Sequence, residues 1–438
     1  MSKKFGVALA LVGMCALSLF LVNCGSSSSR PSGLLYVLTQ GNNGVGNSIS
    51  SFAIDLNNGG LSLINANAST CPTAVTDNSP NPCGFPVALL LDSTGNVAFV
   101  LDQGLASANV APTIYSYGVN SDGSLNSPTS AATLPLGDIP IAMTLDSAGQ
   151  FLYVLDVGPS PSATTCGVSP STLCASILVF TAKPGSASLS AVAGSPLGRV
   201  PSALSVVTFT PPSGAVLPCA TTTDFLYVTY NADPVYHNDN TLSAYCVDST
   251  GTPNDLTPNA PYTTSIDPIS VLAVNTNPAG TNSGGLFVYV GTQGPTVGAI
   301  SAFQVCTQVT NSCTSENLAK LVPVGSPVTV GENAVAMLVD PTNNYLYAVS
   351  ALSNQVYGFR VGTAAGTLTA LTPPYQATGT QPVALAMRAS VNSSGEFLYV
   401  ANSNSSNISG WSVSTTSGAL SGSITVISNP SPTSMAAK

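Results

Sequence analysis

The chain has 438 residues, 44% of them hydrophobic and only 6% charged, with 18 acids against 9 bases for a net charge of −9. That much apolar content is enough to build a core and excludes a disordered chain. The acidic balance, with no basic run anywhere, argues against nucleic acid or an anionic lipid surface as a partner.

Residues 1–23 have the form of an export signal: Lys3 and Lys4 give a positive start, and Phe5 to Val22 is an uncharged apolar stretch. Leu21-Val22-Asn23-Cys24-Gly25, followed by four serines, resembles a bacterial lipoprotein signal that is cut before a lipid-modified cysteine, here Cys24. Asn23 departs from the small residue usual before that cysteine. An uncleaved anchor helix is the other reading, since the apolar stretch is just long enough to span a bilayer. Both readings place the remainder outside the cytoplasm, on a periplasmic or cell-surface membrane, with residues 24–33 as a Ser-rich tether.

Eight cysteines lie beyond Cys24 and fall into local couples: Cys71 with Cys83, Cys166 with Cys174, Cys219 with Cys246, and Cys306 with Cys313. An exported chain makes disulfides the default. Without a CxxC pair, and with a single histidine, a zinc site is not expected.

From residue 34 onward one motif returns seven times: Leu34-Leu-Tyr-Val37, Val97-Ala-Phe-Val100, Phe151-Leu-Tyr-Val154, Phe225-Leu-Tyr-Val228, Phe287-Val-Tyr-Val290, Tyr345-Leu-Tyr-Ala348 and Phe397-Leu-Tyr-Val400. In the third copy it sits within a longer plan. An apolar strand opens at Pro140, an Asp146-Ser-Ala-Gly149 turn follows, then the aromatic strand, a third strand at Ile177 to Phe180, and a fourth from Leu189. Four short strands per repeat predict an all-β fold, a β-propeller of four-stranded blades. The first copy has no Pro-led strand ahead of it, but Pro432-Thr433-Ser434-Met435-Ala436 at the C-terminus matches Pro140-Ile141-Ala142-Met143. The last strand is therefore expected to complete blade 1, closing seven blades over residues 34–438 and removing open sheet edges. Trp411 stands where the other blades carry Phe52, Tyr117, Phe180, Tyr245, Phe303 and Phe359, and is expected in the core.

The units Pro-x-Ala, Asp-x-x-Gly and Leu-Tyr-Val resemble the YVTN-type, lactonase-like seven-bladed propellers, which include bacterial 6-phosphogluconolactonase and the fungal carboxymuconate cyclising enzyme. The resemblance covers about Leu34 to Lys438. These units punctuate a fold and leave the chemistry open.

Loops entering the Pro-led strand and loops leaving the aromatic strand share one rim, the top. Two residues past the Val of each motif the chain reads Thr39, Asp102, Asp156, Tyr230, Thr292, Ser350 and Asn402, a polar ring. Asp102 and Asp156, from adjacent blades, are placed to share a cation or to act as an acid and base pair, unless each simply caps its own strand end. His237, Arg199 and Glu332 are the candidate catalytic groups, with Asp138 and Asp267 at comparable strand entries. A histidine, an arginine and a carboxylate at the mouth resemble what lactonase-like enzymes use, although a lone loop histidine is also an ordinary solvated turn residue. Cations are too few for a phosphorylated substrate. The leading expectation is a tethered, monomeric binding scaffold for a protein or small-molecule ligand, requiring no cofactor. The alternative is a lactonase-like hydrolase or isomerase acting on an unphosphorylated lactone.

Overall fold

The computed structural model describes residues 31–40, 47–70, 84–105, 109–158, 175–209, 224–232, 240–257, 261–276, 285–294, 297–306, 320–388, 395–427 and 431–438. Within them the chain forms seven antiparallel sheets and no helix, so none is present that could cross a membrane. Each sheet is a blade whose strands are lettered a to d from the channel outward. Blade 3, for example, runs Pro140–Leu145, Phe151–Asp156, Ser176–Thr181 and Ser190–Pro196. Blade 1 takes strand a from the C-terminus, where Pro432–Ala437 pairs antiparallel with Leu34–Thr39, and the ring closes as the sequence implies. The seven inner strands touch one another in an unbroken circle.

Blade 4 departs from the plan. Its outer strand is split into Pro253–Asp255 and Tyr262–Thr263, both paired with Thr241–Val247. Proline alone does not account for the split, since the outer strands Leu321–Val330 and Leu368–Ala377 of blades 5 and 6 run through Pro323, Pro327, Pro373 and Pro374.

Strand b is packed on both faces by neighbouring blades, which is why its sequence is a nearly unbroken apolar run rather than an alternating one. The core is accordingly a ring of seven clusters, each between two adjacent blades. One joins Phe99 and Leu101 to Leu152 and Val154, and the closing one joins Leu35 and Val37 to Phe397 and Tyr399. Trp411 and the six aromatics at matching positions are all buried.

The repeated aromatic pair couples blade to blade. The tyrosine hydroxyls of Tyr36, Tyr289, Tyr347 and Tyr399 donate to the carbonyls of Gly123, Gly366, Gly418 and Gly59, each in the strand c to d turn of the following blade. The first aromatic of the motif covers the same glycine. A Cβ on Gly418 (φ +71°) would stand 2.3 Å from the Tyr345 ring, and one on Gly366 (φ +69°) 2.3 Å from Phe287. Such turns need glycine both for their left-handed backbone and for the ring that lies against them.

At the bottom, the Asp-x-x-Gly turns form as expected. Gly95 and Gly149 donate to the carbonyls of Asp92 and Asp146, and in blade 6 Asn343 takes the glycine's place at φ +57°. The chain also begins its first blade here, where the Arg388 Nη2 donates to the Ser32 carbonyl at 2.7 Å. Cys246 and Cys306 are buried and disulfide-bonded. The other six cysteines beyond Cys24 lie outside the described residues, as do Cys24 itself and residues 1–23.

Candidate functional site

A backbone hydrogen bond recurs at the top of every blade. The residue just after strand b donates to the carbonyl just before strand a: Gln103 to Phe85, Val157 to Ile139, Asn231 to Val200, Gln293 to Asp267, Ala351 to Asn333, Ser403 to Gln381 and Gln40 to Ser431, at 2.8–3.1 Å. A register shift follows at the opening of each inner strand, as between Pro140 and Ala142. Together they fix the backbone around the channel mouth. Asp138 in blade 3, Arg199 in blade 4 and Glu332 in blade 6 all stand two residues ahead of strand a, and so occupy equivalent places on the rim.

The ring of residues ending strand b is buried, and its side chains bond within their own blades, although the buried Asn402 Oδ1 has no hydrogen-bond partner. Asp102 accepts from the Gly104 N–H at 2.7 Å, and Asp156 accepts from the Ile139 N–H at 2.8 Å. Thr39 bonds Ser48, Thr292 donates to the Ala299 carbonyl, Ser350 donates to the Glu332 carbonyl, and Asn402 donates to Asn407. Tyr230 reaches the Tyr245 hydroxyl at 2.7 Å. Among the described residues no three His, Cys, Asp or Glu side chains gather where they could hold a metal ion.

The carboxyls of blades 2 and 3 are nevertheless unusual. Burial raises Asp102 to about 6, against a single backbone donor. Asp138, half-buried, is raised to about 6 by burial and by the negative charge of Asp156. Burial also raises Asp156, in spite of N–H donors from Gly158 and Ile139. Asp92 at the bottom is the contrast. Burial pushes it up as well, but donors from Thr94, Val97 and Gly185 hold it below the ordinary range. Carboxyls that titrate near neutrality at one rim suit proton transfer.

Arg199 lies over the Tyr230 ring, 5.9 Å from its centroid, and its Nη1 donates to Thr241 Oγ1 at 3.0 Å. Among the described residues it is the one Lys or Arg at the top, since Lys183 and Lys320 sit in lower connections, Arg360 in strand c, and Arg388 and Lys438 at lower strand ends. Glu332 has a locked backbone: its N–H donates to Ser353 Oγ, and its carbonyl accepts from Leu352. Asp267 adopts φ +48°, a left-handed conformation that Asp tolerates better than most residues. His237 lies outside the described residues.

Two features of the rim escaped the sequence reading. Gln103 Nε2 crosses from blade 2 to the Pro140 carbonyl of blade 3 at 2.9 Å. Leu136, Ile139, Ile266, Val297 and Leu352 are exposed in top connections. Large apolar residues inside Gly- and Pro-bounded loops were the available signal for the second.

The fold is a seven-bladed β-propeller. Residues 299–437 match the family model described as Lactonase, 7-bladed beta-propeller. No curated protein matches the chain in sequence. Among solved structures, the chain is similar to a Lactobacillus plantarum protein (14% identity, 93% of this chain and 99% of that one, TM-score 0.61). It is similar to a Bacteroides uniformis protein described as a candidate 6-phosphogluconolactonase (14%, 93% and 100%, 0.60). It is also similar to PpgL, the periplasmic gluconolactonase of Pseudomonas aeruginosa (16%, 92% and 98%, 0.59). At such identities the likeness is one of fold.

Proposed function

We propose that the chain is an extracytoplasmic, membrane-tethered hydrolase that opens an unphosphorylated lactone at the top of its channel. The observation that carries this reading is the placement of Asp138 and Arg199 at equivalent rim positions of adjacent blades, with Asp138 titrating at about 6. In this reaction the Asp138 carboxylate takes a proton from water, and the water oxygen attacks the lactone carbonyl carbon. Negative charge develops on the carbonyl oxygen, facing the Arg199 guanidinium. The ring C–O bond then breaks, and the leaving alkoxide takes the proton back from Asp138, giving the open hydroxy acid with one water consumed. Asp156 acts through Asp138, holding the Ile139 N–H beside it and raising its proton affinity. Glu332 stands at the equivalent entry of blade 6, and His237 joins the set from the sequence alone. The family match over residues 299–437 and the likeness to a periplasmic gluconolactonase support the substrate class and the compartment. Having one cation at the top among the described residues argues for a substrate without phosphate.

Lipidation at Cys24 and the pairings Cys71–Cys83, Cys166–Cys174, Cys219–Cys246 and Cys306–Cys313 belong to the same proposal. The disulfide-bonded Cys246 and Cys306 are what an oxidising compartment permits. Because Ser32 is held at the bottom by Arg388, a tether from Cys24 would leave the mouth facing away from the membrane. A binding scaffold is the second reading, favoured by the exposed apolar side chains at the top.

The test is proton release from a panel of lactones. Asp138→Asn is expected to lower kcat by about 10²- to 10⁴-fold, the usual worth of a positioned base, and Arg199→Ala to lower it as well. Hydrolysis that survives both substitutions together would refute these roles.

A further inference from the structure

Seven large hydrophobic side chains are markedly exposed among the described residues, and five of them, Leu136, Ile139, Ile266, Val297 and Leu352, lie in top connections of blades 3, 5 and 6. They are interleaved with the polar rim. Ile139 follows Asp138, Ile266 precedes Asp267, and the Leu352 N–H donates to the Glu332 carbonyl. The outer walls and the bottom supply only Leu63 and Tyr375 to the same class, both in strands d. Apolar groups placed beside the carboxyls would face the part of a ligand that lies next to the reacting ring. The excess of Asp138, Asp267 and Glu332 over Arg199 disfavours a negative charge on that part.

We infer that the substrate is a lactone bearing an alkyl chain of several carbons, which the apolar collar receives while the ring is presented to Asp138 and Arg199. This rests on the lactone-hydrolase reading and goes beyond it, because a bare polyol lactone would leave the collar in water.

The experiment compares δ-undecalactone, δ-valerolactone and glucono-δ-lactone with the full-length purified protein, following proton release in a pH-stat. The expected result is a kcat/KM for δ-undecalactone at least about tenfold above that for δ-valerolactone, the scale of two or three methylenes withdrawn from water. Leu352→Ser and Ile139→Ser, both at exposed positions, should each cut that ratio several-fold, chiefly through KM. Equal rates, or a preference for glucono-δ-lactone, would overturn the alkyl-chain inference and leave the hydrolase standing. A ratio unmoved by both substitutions would overturn it too, leaving the collar to a protein partner. Failure to hydrolyse any of the three would refute the hydrolase reading itself.

Discussion

Asp102 offers the sharpest test of the electrostatics at the rim. Its carboxyl is buried, accepts one N–H from Gly104, and titrates at about 6 against an ordinary 3.8. Between those values the folded chain binds more protons than the unfolded one, so the stability contributed by this group falls as pH rises through the window. A displacement of about two pH units corresponds to a penalty of roughly 3 kcal/mol that is complete above pH ~6 and absent below the unfolded value. Asp102→Asn keeps an oxygen to accept from Gly104 and removes the charge. Its amide N–H groups need new partners, at a cost that does not vary with pH. The stability difference between variant and wild type should therefore shift toward the variant by about 2–3 kcal/mol between pH 4.0 and 7.5, whatever its absolute size. Equilibrium urea unfolding, followed by the fluorescence of the buried Trp411, measures this difference at both pH values. The carboxyls common to the two proteins cancel. A difference that is the same at pH 4.0 and 7.5 would mean that Asp102 does not carry a destabilised charge, and the argument would fail.

Asp138 sets the pH dependence of activity: as a base it must be ionised, so kcat/KM should fall as pH drops through about 6 and level off above it, and a profile flat from pH 5 to 8 would exclude it. Tyr347→Phe removes the hydroxyl that donates to Gly418 and leaves a buried carbonyl without its donor, at a cost of about 1–3 kcal/mol in urea unfolding. Tyr153→Phe is the control, since its buried hydroxyl has no hydrogen-bond partner; that variant should match or exceed wild-type stability. Gly418→Ala meets both a left-handed backbone and the Tyr345 ring, and should cost more than about 1 kcal/mol, read as a lowered unfolding midpoint.

The fold was legible because a propeller repeats its burial. Strand b is enclosed on both faces in every blade, and the same apolar quartet is demanded seven times. The closing strand was legible for the same reason, since Pro432 to Ala436 carries the inner-strand pattern with no second strand after it. Blade 4 was less so: its split outer strand lies at an edge, where no repeat constrains the sequence. At the rim, sequence could place Asp138, Arg199 and Glu332 at equivalent entries but could not weigh them. Whether a carboxyl titrates near 4 or near 6 depends on donors that arrive from other elements, such as the Ile139 N–H on Asp156 or the Gly185 N–H on Asp92, which comes from blade 3. The meaning of Phe-x-Tyr was hidden likewise, because its partners are turns of the next blade.

That dependence acts at both ends of the molecule. At the bottom, Asp92, Asp146 and Asp340 each receive at least two backbone N–H groups of their own turn, and Asp92 a further one from the neighbouring blade. Donors hold Asp92 below the ordinary range, whereas burial raises Asp146 in spite of the N–H groups of Phe151, Gln150 and Gly149, and burial with the charge of Asp340 raises Glu396, also at the lower end. At the top, Asp102 is buried with one N–H donor and Asp156 with two, and burial raises both. A ring that needs only turns and packing to close could satisfy both ends alike. Among the described residues it brings Asp102, Asp138 and Asp156, one upper cation and five of the seven markedly exposed large apolar side chains to the same mouth. Substitutions of the buried carboxyls should therefore register in stability at either end, and those at the top in ligand handling as well.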